Sequence, residues 1–143
     1  RIDSHKDLIV WQKAITLAGR VYAATRHVPS EERYGLSAQL RRAAVSVPSN
    51  IAEGAARRSR AEFLQFLHVA RGSLSELETQ MMIAKHQDLI ASELAPLEDI
   101  SEVGRLLNGL ISKVLSSNRD AHANACSLAR INRSPKSEPT ASR

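Results

Sequence analysis

A regular row of apolar residues between positions 63 and 84 is the strongest structural signal in the sequence. The residues recur at alternating spacings of four and three, which places all of them on one face of an α-helix. They are Phe63, Leu67, Ala70, Leu74, Leu77, Met81 and Ala84. Ser59 and Glu62 fit a capping box that starts this helix. A helix from Ser59 to Gln87 is about 40 Å long at about 1.5 Å per residue, a length typical of helical bundles.

Three further segments carry apolar rows of the same kind, and no segment has the two-residue period of a strand. The rows are Val10, Ala14, Leu17, Val21, Ala24 and Val28 between Asp7 and His27; Leu36, Leu40, Ala44, Val47 and Ile51; and Leu97, Ile100, Gly104, Leu107, Ile111 and Val114. Ser92 is the candidate N-cap of the last helix, with a later start at Pro96 as the alternative. Short connections favour an all-α, antiparallel up-down-up-down four-helix bundle.

Two of the predicted helices have features beyond a single apolar face. Pro48 lies inside the second helix, where a missing amide and a crowded Ala44 carbonyl predict a bend or break near Val47. The first and fourth helices each have apolar residues outside the main row. These are Leu8, Trp11, Ile15, Ala18 and Tyr22 in the first, and Val103, Leu106 and Leu110 in the fourth. A lone bundle would leave these residues in water, which predicts an oligomer.

The charge distribution divides the chain at residue 117. Residues 1–117, the predicted bundle, carry a net charge of +2, whereas residues 118–143 carry +3. Ser and Pro are frequent near the end of the chain and offer little apolar surface to bury. We therefore predict a flexible basic tail over residues 118–143.

Composition and motifs exclude several classes of protein. Cys126 is the sole cysteine, so neither a disulfide framework nor a cysteine zinc cluster can form. No apolar run is long enough to span a membrane and no secretory signal is evident, so we expect a soluble, cytoplasmic protein.

The residue patterns of common catalytic sites are also missing. The five histidines lack metal-ligand spacing, and we read them as surface or helix-end residues: His5, His27, His68, His86 and His122. The sequence has no nucleophile elbow, P-loop or Gly-x-Gly-x-x-Gly motif. We expect no enzyme activity, no metal and no cofactor.

Five arginines fall within twenty residues whose only acid is Glu53. They are Arg41, Arg42, Arg57, Arg58 and Arg60. Guanidinium groups can grip two phosphate oxygens at once, so the cluster is a candidate nucleic-acid-binding site. A structural alternative is also open, and the scarcity of base-stacking aromatics favours it: the arginines form a solvated face, or pair with Glu62, Glu76 and Glu78 of a neighbouring helix.

Residues 49–54, SNIAEG, follow Pro48 with three polar side chains. Ser49 and Asn50 can donate to backbone carbonyls freed by the bend, and Glu53 can pair with Arg57 one turn later. We favour this structural role over a ligand site, because it satisfies backbone groups without any substrate.

Residues 34–54, YGLSAQLRRAAVSVPSNIAEG, resemble the signature of the four-helix bundle proteins encoded in bacterial 23S rRNA intervening sequences, also called S23 proteins. Later segments are similar to further blocks of that family: RAEFL at 60–64, ARGSLSELETQ at 70–80 and VGRLLNGLI at 103–111. The resemblance implies a homopentamer whose relatives serve as RNA-associated accessory factors of reverse transcriptases. It implies no catalytic residues.

Two hypotheses for the function follow. In the first, a homo-oligomer presents its arginine cluster to structured RNA or to a reverse-transcriptase-type enzyme, with extra reach from basic residues of the tail: Arg119, Arg130, Arg133 and Lys136. In the second, the protein is a protein-binding scaffold whose arginines pair with acids between subunits.

Overall fold

The structure, a computed structural model, describes residues 4–131, with side chains described for residues 4–117. It contains four α-helices: α1 (Ile9–Thr25), α2 (Leu36–Ala55), α3 (Arg60–His86) and α4 (Leu97–Ile131). Short 3₁₀-helices lie at His5–Asp7 and Ser30–Glu32. No strand occurs in this part of the chain, so the predicted all-α class is confirmed.

The four helices pack in a ring, each against the next in the chain, with α4 returning to α1. Contacts between α2 and α3 run in opposite directions along the two helices. Ser46 meets Ser73, whereas Gly54, two turns further along α2, meets Phe66, two turns earlier on α3. The contacts between α3 and α4 are inverted in the same way. Short connections between neighbouring helices produce this order in a four-helix bundle.

The bundle core consists of the apolar rows that the sequence predicts. Each helix contributes a fully buried leucine: Leu17, Leu40, Leu77 and Leu107. Burial of one such side chain contributes about 1.5–3 kcal/mol, so the four rows supply the main driving force for helix association. Val28, Leu36, Phe63, Leu97 and Val114, at the ends of the rows, are half-buried against this core.

Apolar residues outside the main rows divide between the core and the surface. Val103, predicted to be surplus, is only 1% exposed, so that expectation was wrong: the α4 face toward the core is wider than one row. Leu106 and Leu110 are half-buried. On α1, Ile15 is 46% exposed and Tyr22 is 39% exposed.

Two ion pairs join α1 to α4 along their outer edge. Lys13 Nζ lies 3.4 Å from Glu102 Oε1, and Arg20 Nη1 pairs with Asp99 Oδ1. The hydrogen bond and the negative charge of Asp99 raise the pKa of Arg20 above its usual value. Both pairs are exposed to solvent, so they orient the helices more than they stabilise them.

Two helix starts differ from their predicted form. Ser59 is the N-cap of α3, and its Oγ accepts from the Glu62 amide at 3.1 Å, as predicted. The Ser59 hydroxyl also donates to the Glu62 carboxylate at 3.0 Å, a bond that replaces the predicted return bond to the Ser59 amide. The prediction of Ser92 as the N-cap of the fourth helix was wrong. That helix begins at Leu97, directly after Pro96. Amides at the start of a helix have no carbonyl within the helix to which they can donate, so proline, which has no amide hydrogen, is favoured there.

Pro48 does not break the second helix. The α2 helix is continuous from Leu36 to Ala55 with Pro48 buried inside it. The predicted break near Val47 is therefore absent, and the bend stays a prediction.

The fourth helix passes the predicted boundary at residue 117 and continues through Ile131. The remainder of the predicted tail, residues 132–143, lies outside the described residues. Within residues 4–131, no helix combines the length and apolar character needed to cross a membrane.

Gly54 allows the closest approach of α2 to α3. A Cβ atom at this position would lie 2.7 Å from Phe66 Cβ and 3.3 Å from the Phe63 carbonyl oxygen. Neither atom is the flexible end of a side chain, so the helices would have to separate. We predict that Gly54→Ala lowers the free energy of unfolding by about 1–3 kcal/mol, measured by urea denaturation.

Gly72 provides the matched control, because a Cβ atom there would meet nothing within 4 Å. Replacing a glycine inside an exposed helix by alanine favours the helix by about 0.5–1 kcal/mol. Gly72→Ala should therefore stabilise the protein. Equal effects of the two substitutions would contradict the close approach at Gly54.

Candidate nucleic-acid interface

The structure separates the five predicted arginines into two groups. Arg41 and Arg42 lie in the second turn of α2, whereas Arg57, Arg58 and Arg60 lie at the α2–α3 connection. We call them the α2 pair and the connection trio. About fifteen residues of helix, or roughly 22 Å, separate the two groups. A ligand that contacts both must therefore extend along the bundle.

Arg41 is held against α1 by two contacts. Its Nε donates to Thr25 Oγ1 at 2.8 Å, and its guanidinium carbon lies 4.7 Å from the centre of the Tyr22 ring. Thr25 Oγ1 donates in turn to the Val21 carbonyl at 2.9 Å. These contacts fix the guanidinium group and leave its two terminal nitrogens for other acceptors.

The charge of Arg57 is partly neutralised by Glu53, four residues earlier in the chain. Its Nη2 lies 3.0 Å from Glu53 Oε1, which confirms the predicted pair, and its guanidinium carbon lies 4.9 Å from the centre of the Phe66 ring. Arg57 therefore links the α2–α3 connection to Phe66, and its charge is the least available of the trio.

Arg42, Arg58 and Arg60 are exposed, and none forms an ion pair with the side chains of residues 4–117. Exposed guanidinium groups without a carboxylate nearby keep their full charge and all their donors for a ligand.

The acids proposed as intrachain partners make other contacts. Glu62 bonds to Ser59, and Glu76 accepts from Gln80 Nε2 at 2.9 Å. Glu78 is exposed on α3 and forms no ion pair with the described side chains. Pairing of the arginines with these three acids is therefore not seen among the described side chains, whereas the exposure of Arg42, Arg58 and Arg60 agrees with a solvated face as well as with a ligand site.

Lys113 of α4 joins the connection trio. It lines a groove of about 270 Å³ together with Arg60, and the floor of the groove includes Phe63, Leu110 and Val114. The sequence analysis missed Lys113, because it is far from the arginines along the chain and only the packing of α3 against α4 brings it close.

Metal chemistry has no support in the part of the chain that the structure describes. No group of three or more His, Cys, Asp or Glu side chains there is arranged to hold a metal ion.

The polar residues after Pro48 link α2 to α3. Asn50 Nδ2 donates to the Ser46 carbonyl at 2.8 Å and to Ser46 Oγ at 2.9 Å, and Ser46 Oγ bonds to Ser73 Oγ at 2.8 Å. Asn50 therefore bonds to a carbonyl one turn earlier, and not to the Ala44 carbonyl that Pro48 leaves without an amide donor, so its predicted role at a freed carbonyl is not seen. Ser49 is exposed and has no hydrogen bond among the described residues, so its predicted part in this role is not seen.

A double-mutant cycle on Ser46→Ala and Ser73→Ala should give a coupling free energy of about 0.5–1.5 kcal/mol in urea denaturation, because each hydroxyl loses its partner in the single variants. The control cycle replaces Ser73 and the exposed Ser49, and we expect no coupling there. Coupling of equal size in both cycles would show that the hydrogen bond is not its source.

Comparison with known proteins relates the chain to one protein family and to solved structures. The family model described as 23S rRNA-intervening sequence protein matches residues 6–109. Among solved structures, the chain is similar to a protein of unknown function from the S23 ribosomal protein family of Bacteroides thetaiotaomicron. The TM-score is 0.68 at 26% sequence identity, and the match covers 75% of this chain and 98% of that one. No curated protein matches the sequence.

Proposed function

The chain belongs to the 23S rRNA-intervening sequence protein family, and from this membership and its exposed arginines we propose that it is a non-enzymatic, oligomeric protein that binds structured RNA in the cytoplasm. The proposed contact residues are Arg41, Arg42, Arg57, Arg58 and Arg60, joined by Lys113. A reverse-transcriptase-type enzyme working on the same RNA is a further partner implied by the resemblance.

The observation that carries this proposal is the free charge of Arg42, Arg58 and Arg60. These three side chains contact neither a carboxylate nor a backbone carbonyl among the described residues, so all their donors are open to a ligand. Phosphate groups offer the bidentate acceptors that such side chains suit.

The spacing of the two groups also suits RNA. The roughly 22 Å between them equals several nucleotides of backbone, so one duplex or folded strand can contact both. Each chain carries a net charge of +5, and an oligomer multiplies that charge over a larger surface. The scarcity of aromatic residues favours phosphate contacts over base stacking.

Titration of a labelled structured RNA at several salt concentrations tests the proposal. Binding should weaken steeply as salt rises, because each phosphate contact releases counterions. For Arg58→Ala/Arg60→Ala, the slope of log affinity against log salt should be shallower by about 1.4–1.8, or about 0.7–0.9 for each lost contact.

The control variant Lys13→Ala/Arg20→Ala removes the same number of positive charges, but these are already paired with Glu102 and Asp99. Its slope should stay near that of the wild type. If the wild type binds no RNA near 50 mM salt, or if both variants change the slope equally, the proposal fails. If Arg58→Ala/Arg60→Ala binds RNA normally but loses its oligomeric state, the protein is a scaffold whose arginines join subunits.

Assembly is proposed from the exposed apolar side of α1. Ile15 and Tyr22 are partly exposed on one side of that helix. Trp11 and Ala18, one turn before Ile15 and one turn before Tyr22, are half-buried. Burial of such a row against a second subunit is favourable, and the resemblance to the S23 family makes a homopentamer the expected form.

Ile15→Glu should convert the oligomer to a monomer in light scattering at micromolar concentration, because a carboxylate would enter the apolar interface. The fold should persist, since Ile15 is outside the core. Val69→Glu is the control: Val69 is 49% exposed on α3, and the variant should stay oligomeric. A wild-type protein that is already monomeric would contradict the proposed assembly.

A further inference from the structure

A cavity of about 350 Å³ lies where the end of α1, the α1–α2 connection and the start of α2 meet. We call it the arginine cavity. Its lining residues are Thr25, Arg26, Val28, Pro29, Ser30, Arg33, Ser37 and Arg41. Only Arg41 among them belongs to the five arginines singled out from the sequence.

The cavity has a strongly positive lining. Arg26, Arg33 and Arg41 come from three different parts of the chain, and no carboxylate lines the space between them. None of the three forms an ion pair with the side chains of residues 4–117. Glu31 and Glu32 lie on the same connection but outside the lining, and Glu32 accepts a hydrogen bond from the Leu36 amide instead. Three arginines and no carboxylate therefore line one cavity, and this lining gives it a positive potential that favours an anion.

The side chain of Arg41 is held in place without a bound anion. Thr25 accepts from its Nε and Tyr22 lies against its guanidinium group, so the orientation of the side chain is fixed by neighbours on α1. The two terminal nitrogens are the pair that binds two oxygens of one phosphate. Because the guanidinium group is already held, little side-chain entropy remains to be lost on binding.

Ser37 adds a neutral hydrogen-bond donor to the lining. It is only 6% exposed and lines the cavity, yet its hydroxyl has no hydrogen-bond partner among the described residues. Among the described residues, the only fully buried side-chain nitrogen or oxygen without a partner is Gln80 Oε1, so the Ser37 hydroxyl is accessible and free to donate to a ligand. An oxygen of an anion in the cavity would accept this hydrogen bond.

We propose that the arginine cavity binds a terminal phosphate group, a phosphomonoester, carried by a nucleoside or sugar. A phosphomonoester has a charge of about −1.5 to −2 at pH 7, which matches three guanidinium groups better than the single charge of a backbone phosphodiester. The volume is near the lower end of the range for small-ligand sites, enough for a phosphate and an attached group of nucleoside size. The 5′ end of an RNA and a free nucleotide share this chemistry. The RNA source rests on the proposed function, whereas the free-nucleotide source does not.

Calorimetric titration with adenosine 5′-monophosphate, adenosine and inorganic phosphate tests the site. We expect saturable binding of the monophosphate and of inorganic phosphate, and none of adenosine. Arg33→Ala should weaken monophosphate binding at least tenfold, and Ser37→Ala severalfold. Arg33 is exposed on a connection, so its variant should fold normally. The control Arg105→Ala removes an exposed arginine of α4 and should leave the affinity unchanged. Equal binding of adenosine and its monophosphate, absence of binding, or an unchanged Arg33→Ala variant would overturn the proposal.

A second experiment compares the affinity of the protein for two forms of one RNA, the first with a 5′-phosphate and the second with a 5′-hydroxyl end. If the cavity takes an RNA end, the phosphorylated form should bind more tightly in the wild type, and Arg33→Ala should remove the difference. If the monophosphate binds but the two RNAs do not differ, the cavity takes a free nucleotide. If the monophosphate binds and neither RNA does, the proposed RNA function fails while the phosphate site stands.

Discussion

The close contact between α2 and α3 at Gly54 is the constraint on which the rest of the structure depends. With no side chain at this position, the α2 backbone lies directly against Phe63 and Phe66. Four residues connect the two helices, so the chain must reverse at this point. Two turns further from the connection, the Ser46–Ser73 hydrogen bond holds the same pair of helices together. A rigid α2–α3 hairpin follows, and α1 and α4 pack onto it.

The orientation of α2 decides where the arginines on and beside it lie. Its last turn and the connection place Arg57, Arg58 and Arg60 at one end of the bundle, where Phe66 and Lys113 are neighbours. Its second turn places Arg41 against α1 at the other end of the helix. The protein thus has two basic regions of different character. The connection trio is open and suits the extended backbone of a nucleic acid, whereas the arginine cavity is partly enclosed and suits a single phosphate group.

Sequence reasoning succeeded where interactions are local in the chain. The four apolar rows became the core because their spacing puts them on one helix face, and burial of that face is favourable in any bundle. The Ser59 cap and the Glu53–Arg57 pair depend on residues three or four positions apart. The same reasoning failed for Ser92, because Pro96 offers a better helix start four residues later. It failed for Val103, because the width of a buried face depends on which helices surround it.

The sequence by itself determined the helical class and the four core faces, and it showed the local excess of arginine, since spacing and residue type fix these without reference to the rest of the chain. Only the tertiary structure decided how the arginines are grouped. Arg41 and Arg57 lie toward opposite ends of α2, whereas Arg26, Arg33 and Arg41 line one cavity where the end of α1, the α1–α2 connection and the start of α2 come together. Distances between charges on different elements depend on how those elements pack, and helix packing is set by the shapes of many side chains together.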